Sequence, residues 1–121
     1  MKLILSLFLI LPLYAAELSD HQKINKLLEA VEQSKLTFIR NGKEYDASKA
    51  RKHLEYKYNY VLKGFWFWQK GEKVTVKKFI DKIASGSSTT GKPYYIKTNV
   101  GTKVPTKDWL YKKLKEIESS Q

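Results

Sequence analysis

The segment Gly86-Ser-Ser-Thr-Thr-Gly91-Lys92 has the G-x-x-x-x-G-K spacing in which loop amides cradle phosphates and the lysine meets their oxygens. A nucleotide loop of that kind runs from strand into helix and carries Ser or Thr after the lysine to hold magnesium. Here helix-spaced apolar residues precede the segment and Pro93 follows it, so no nucleotide is expected. A weaker expectation survives, a concave nest of backbone N–H groups for an anion, beside the alternative of a solvated connector whose Ser and Thr residues form caps and turns. Nucleophilic catalysis would pair His53 with Ser85, Ser87 or Ser88 and an acid such as Asp81, but no G-x-S-x-G turn marks a nucleophile. His21 and His53 lack neighbours at ligand spacing, so neither a metal nor a cofactor is expected. Phe65-Trp66-Phe67-Trp68, set among Lys63, Lys70 and Lys73, cannot all face one core if extended, because alternate side chains point to opposite sides. Such a run suits a membrane surface, glycan rings or single-stranded nucleic acid, or else a satellite cluster under a loop.

These residues must be positioned by short helices and hairpins. Ser19 to Gln22 has capping-box spacing, and Ile24, Leu27, Leu28 and Val31 follow at i, i+3, i+4 and i+7, predicting a helix over about 20–33. A strand from Leu36 to Arg40, the hairpin dipeptide Asn41-Gly42 and a return strand from Lys43 to Tyr45 come next. Asp46 is placed to cap a helix with Ala47, Ala50, Leu54 and Val61 inward, running to about Tyr60. Thr75 is placed to cap a third helix with Phe79, Ile80, Ile83 and Ala84, ended by Gly86. A strand from Pro93 to Thr98, a turn at Asn99-Val-Gly101, a strand from Thr102 to Val104 and a last helix capped by Thr106 complete the chain, with Leu110, Leu114 and Ile117 inward. The order α-β-β-α-α-β-β-α predicts a small two-layer α+β domain, helices on antiparallel hairpins, and its halves suggest a duplicated αββα unit.

Residues 1–16 hold one lysine, an apolar run from Leu3 to Leu13 and a small-residue end at Ala15-Ala16, the pattern of a signal peptide cut after Ala15 or Ala16. The run is short of the roughly 20 residues a membrane span needs. The expected organisation is a leader over 1–16 and a single domain over 17–121, working in the periplasm or secreted. With no cysteine there is no disulfide, lipidated cysteine or thiolate metal site. The formal charge of +11, of which the leader carries one, favours anionic partners or simply solubility.

Phe38-Ile-Arg40-Asn41-Gly42, His53-Leu54, Phe79-Ile-Asp-Lys82 and Ile83-Ala-Ser85-Gly-Ser87-Ser88-Thr-Thr90-Gly91-Lys92-Pro93-Tyr94 resemble the YfeK-like family of small exported bacterial proteins, a domain of unknown function. The Leu-Pro-Leu-Tyr-Ala end of the leader is similar too. The resemblance implies a periplasmic location and a shared fold, with no established activity, cofactor or catalytic set. It points to Arg40, Asn41, Gly42, His53, Ser85, Ser87, Ser88, Thr90, Gly91, Lys92, Pro93 and Tyr94 as the place for a shared site, while Phe65 to Gln69 departs from the family pattern. The function expected is non-enzymatic: binding of an anionic or polar envelope component, with charge from Lys92 and Arg40, hydrogen bonds from loop hydroxyls and amides, and Tyr94 as a wall. An anionic polymer, a lipid headgroup or an envelope protein fits as partner, and nucleic acid is disfavoured. The alternatives are an envelope hydrolase using His53 and a loop serine, and a surface binder acting through Phe65, Trp66, Phe67 and Trp68.

Overall fold

The computed structural model describes residues 17–64 and 73–120, so the aromatic run at 65–68 and the leader lie outside the described residues. Helix α1 (Asp20–Gln33) opens on the reciprocal capping box, Gln22 N–H donating to the Ser19 hydroxyl and Ser19 N–H to the Gln22 side chain. It buries Ile24, Leu27, Leu28 and Val31, each contributing about 1.5–3 kcal/mol relative to exposure. Strands β1 (Thr37–Arg40) and β2 (Lys43–Tyr45) are joined by Asn41 and Gly42 at φ 53° and 78°, the paired positive values that a two-residue hairpin turn demands.

Helix α2 (Ala47–Leu62) is capped by Asp46, whose carboxylate accepts from Lys49 N–H at 2.8 Å. It runs slightly past the expected end near Tyr60, since no breaker precedes Gly64. Helix α3 (Val76–Lys78) starts from the Thr75 cap and continues as a π-turn (Phe79–Ile83), with Ala84 N–H donating to Phe79 O at 2.8 Å. The helical segment therefore closes before Gly86, which instead forms a β-bridge with Pro93. Strands β3 (Tyr95–Lys97) and β4 (Lys103–Pro105) lead into α4 (Thr106–Ser119).

One expectation at this last junction is overturned. Thr106 is not the cap of α4: the chain stays extended through Pro105, which pairs with Tyr95, and Thr106 N–H donates to Tyr94 O at 2.9 Å. The non-helical cap position thus falls on Pro105, which has no side chain able to accept a hydrogen bond, and Thr106 is already the first helical residue.

The strands form one antiparallel sheet in the order β2-β1-β3-β4. Its centre is the pair Phe38 and Ile96, both buried beneath the helices, and a half-turn about that pair exchanges the two hairpins. The stripe Ile24, Leu27, Leu28, Val31 of α1 recurs at the same spacing as Val76, Phe79, Ile80, Ile83. This two-fold arrangement is what a duplicated αββα unit requires, and the second unit differs in carrying the long 86–92 loop between its helix and its first strand.

Candidate functional site

Strand register sets the site. Beyond the last paired residues, Ile39 and Tyr95, the next step places Arg40 and Tyr94 at neighbouring ends of β1 and β3, on the face that Phe38 and Ile96 turn toward the helices. Tyr45, opposite Phe38 on β2, shares that face. From α2, the i and i+4 residues His53 and Lys57 project toward the same end of the sheet.

The four polar groups around Tyr94 are linked. Lys57 Nζ donates to Tyr94 Oη at 3.0 Å and to Gly86 O at 2.8 Å. Tyr94 Oη lies 3.1 Å from His53 Nε2, Arg40 Nη1 lies 3.4 Å from the same nitrogen, and Arg40 Nη2 donates to Tyr45 Oη at 3.0 Å. Ammonium and guanidinium groups can only donate, which leaves the Tyr94 hydroxyl to donate to Nε2 and assigns His53 as the neutral Nδ1–H tautomer. Its electrostatics agree. Burial, then the charges of Arg40 and Lys57, push the His53 pKa down to about 4. Burial, then Arg40, lowers Lys57 to about 8, so the ammonium persists at neutral pH, while burial raises the Tyr94 phenol.

Lys57 is only 6% exposed, and no ion pair among the described residues includes either it or Arg40. A buried ammonium held without a carboxylate is electrostatically unsatisfied, since its two acceptors supply dipoles and no charge. Beside this cluster opens a cavity of about 240 Å³, walled by Phe38, Ala50 and Leu54, with Arg40, Tyr45, His53 and Tyr94 at its polar side. Tyr94 and Lys57 separate it from a shallower cleft of about 420 Å³ bordered by Tyr56, Tyr60, Ser88 and Thr89.

Of the residues expected to form a site, Arg40, His53 and Tyr94 meet as described. Asn41 is tied to the loop by Thr90 Oγ1, which donates to its Oδ1 at 2.7 Å. The anion nest is not formed: the amides of Ser87, Thr89, Thr90, Gly91 and Lys92 all donate within the loop, to Lys92 O, the Ser87 hydroxyl, Ser87 O and the Thr90 hydroxyl. Gly91 takes φ 74° to close that turn. Gly86 is required for close approach, because a Cβ there would stand 2.9 Å from Lys92 O. Lys92 is exposed and outside the cavity wall, so the second cation is Lys57, not Lys92. Ser85 donates to Asp81 O, Ser88 borders the outer cleft, and Asp81 accepts from Tyr111 and Lys77, so none of these joins His53. Sequence reasoning missed Lys57. The signal was present, because a lysine at 57 interrupts the buried stripe of α2 between Leu54 and Val61.

The low His53 pKa makes a stability prediction. Between pH 6.5 and about 4 the unfolded chain binds a proton at His53 and the folded one does not, so stability is full above 6.5 and is lost as pH falls toward 4. Discounted for solvent screening of a partly exposed ring, the loss is about 1–2 kcal/mol. Urea unfolding at pH 7 and pH 4.5 should show it in the parent and a smaller loss in His53→Asn; equal losses in both proteins would remove the assignment.

The chain is a two-layer α+β protein with a cationic cavity at one end of its sheet, and it belongs to a family of unknown function, DUF5329, which matches residues 18–118. It is similar to the uncharacterized protein YfeK of Salmonella typhimurium, 38% identical over an alignment of 93 residues, with 75% of this chain and 71% of that protein covered. No solved structure matches the chain.

Proposed function

We propose that this is an exported, non-enzymatic binding protein for a small anionic component of the cell envelope, held in the cavity beside Arg40, His53 and Tyr94. The observation that carries the reading is the gathering of two uncompensated cations, Arg40 and Lys57, around one tyrosine at the wall of an apolar cavity. An anion supplies the missing countercharge. In a partly dry site its charge-assisted hydrogen bonds to the guanidinium are about twice as strong as neutral ones. Arg40 makes the direct contact, and Lys57 acts through the Tyr94 hydroxyl and the local field. The export part rests on the charge, apolar run and small-residue end of residues 1–16.

One experiment addresses both parts. The full chain is expressed in a Gram-negative host, the osmotic-shock fraction is purified, and the mature N-terminus is read by mass spectrometry, with Ala16 or Glu17 expected first. That material is titrated with acetate, benzoate and inorganic phosphate while backbone and histidine NMR signals are followed. Saturable shifts centred on Arg40, His53 and Tyr94 are expected. Absence of any saturable shift with all three anions would end the binding reading, and recovery only from the cytosol with Met1 attached would end the export reading.

A further inference from the structure

Thr106 lines the same cavity, is 1% exposed, and its hydroxyl has no hydrogen-bond partner. Every other polar side chain of the wall that lies deep, Tyr94 above all, is engaged. A buried hydroxyl without a partner destabilises a fold, and valine would fill the same β-branched shape without that penalty. The usual local use of such a hydroxyl, capping a helix, is closed to it because the cap position falls on Pro105. The start of α4 accordingly has no side-chain cap, so the positive end of a 14-residue helix and a free hydroxyl adjoin one apolar chamber that Arg40 borders as well.

We infer that the ligand is a small organic acid carrying, across a short apolar body, a second hydrogen-bonding atom that pairs with Thr106 Oγ1 while its anionic group meets Arg40. This deepens the anion-binding reading and rests on it. The size argues for such a molecule. At about 240 Å³ the cavity lies below the roughly 300–1,000 Å³ of sites for drug-sized ligands, which favours a molecule of few heavy atoms over a nucleotide or a polymer segment. A bare inorganic anion would leave Phe38, Ala50 and Leu54 facing empty space and the Thr106 hydroxyl unserved. Three aromatic residues in the wall, Phe38, Tyr45 and Tyr94, favour a flat body.

The test uses benzoate and its 3- and 4-hydroxy derivatives with inorganic phosphate, titrated into the mature chain and into Thr106→Val and Thr106→Ser. The parent should bind at least one hydroxybenzoate roughly tenfold or more tighter than benzoate, the gain expected when a buried hydroxyl finds its partner. Thr106→Val should abolish that preference, the ratio of hydroxybenzoate to benzoate affinity falling to about one, with the thermal midpoint the same or higher. Thr106→Ser, which keeps the hydroxyl, should retain the preference. Equal binding of plain and hydroxylated acids by the parent, as when water already serves the hydroxyl, would overturn the inference and leave anion binding standing. A preference that survives in Thr106→Val would also overturn it. Failure of benzoate, both hydroxybenzoates and phosphate to bind the parent would overturn the anion-binding reading itself.

Discussion

Lys57→Ala is expected to lower the unfolding free energy by about 2–4 kcal/mol, whereas Lys57→Met should stay within about 1 kcal/mol of the parent or exceed it. Both variants remove a buried ammonium. Alanine also removes the buried aliphatic stem that α2 carries at this position, and it leaves a void with Gly86 O and Tyr94 Oη short of a donor. Methionine refills the stem volume and lifts the cost of desolvating a charge, which offsets most of the lost hydrogen bonding. Urea midpoints at pH 7 separate the two. The methionine variant carries a second readout: with one of its three depressing influences gone, the His53 pKa should rise from about 4, measurable by NMR titration of the ring. Anion affinity should fall in parallel. If Lys57→Met is destabilised as strongly as Lys57→Ala, the lysine is a structural tether for the Gly86 turn, and its charge has no separate purpose.

Arg40→Gln should weaken binding of benzoate by about ten- to a hundredfold, which corresponds to the roughly 1.5–3 kcal/mol of a hydrogen bond to a charged group. Glutamine keeps part of the aliphatic stem and a planar polar end two bonds short of the guanidinium, so the hydrogen bond to Tyr45 Oη is lost, but at a part-buried position where the fold is retained. Arg40→Lys keeps the charge but not the fork, or the guanidinium stacked 4.7 Å from the Tyr45 ring, and should fall between parent and Arg40→Gln. Calorimetric titration at low salt, repeated at high salt, checks this. Equal affinity in all three proteins would place the anion elsewhere, on the lysine-rich outer surface, and salt would then abolish it in each.

Lysine at 57 illustrates how the site and the stability of the fold are in tension. A chain under selection for stability alone would place an apolar residue between Leu54 and Val61, and a valine at 106. Both polar groups stand at the same cavity system, one as an uncompensated cation and one as an unpaired hydroxyl. Two such departures from packing rules in one small region are the pattern expected of a functional site.

Much of the architecture was legible residue by residue. The Ser19 box, the Asp46 and Thr75 caps, the Asn41-Gly42 turn and the i, i+3, i+4, i+7 stripes are local devices, and each acts in the structure where its residues stand. They suffice for an α+β chain of paired hairpins because a cap or a tight turn is decided within a few residues. The junction at Pro105 shows the limit. Whether Thr106 caps α4 depends on how far β4 stays paired with β3, a contact between segments, and pairing through Pro105 moved the cap by one residue.

By itself the sequence determined the order of elements, the faces they bury and the basic, cysteine-free character of the chain, because propensity, capping and hydrophobic period are local properties. Only the tertiary structure decided the site. Arg40 of β1, His53 and Lys57 of α2, Thr106 of α4 and Tyr94 just ahead of β3 converge because β1 pairs antiparallel with β3 and α2 packs across their ends. The same convergence left out the 86–92 loop, most of whose amides donate to carbonyls and hydroxyls of the loop itself and whose Lys92 stays exposed, while burial made a chemical group of the lysine that interrupts the apolar stripe of α2.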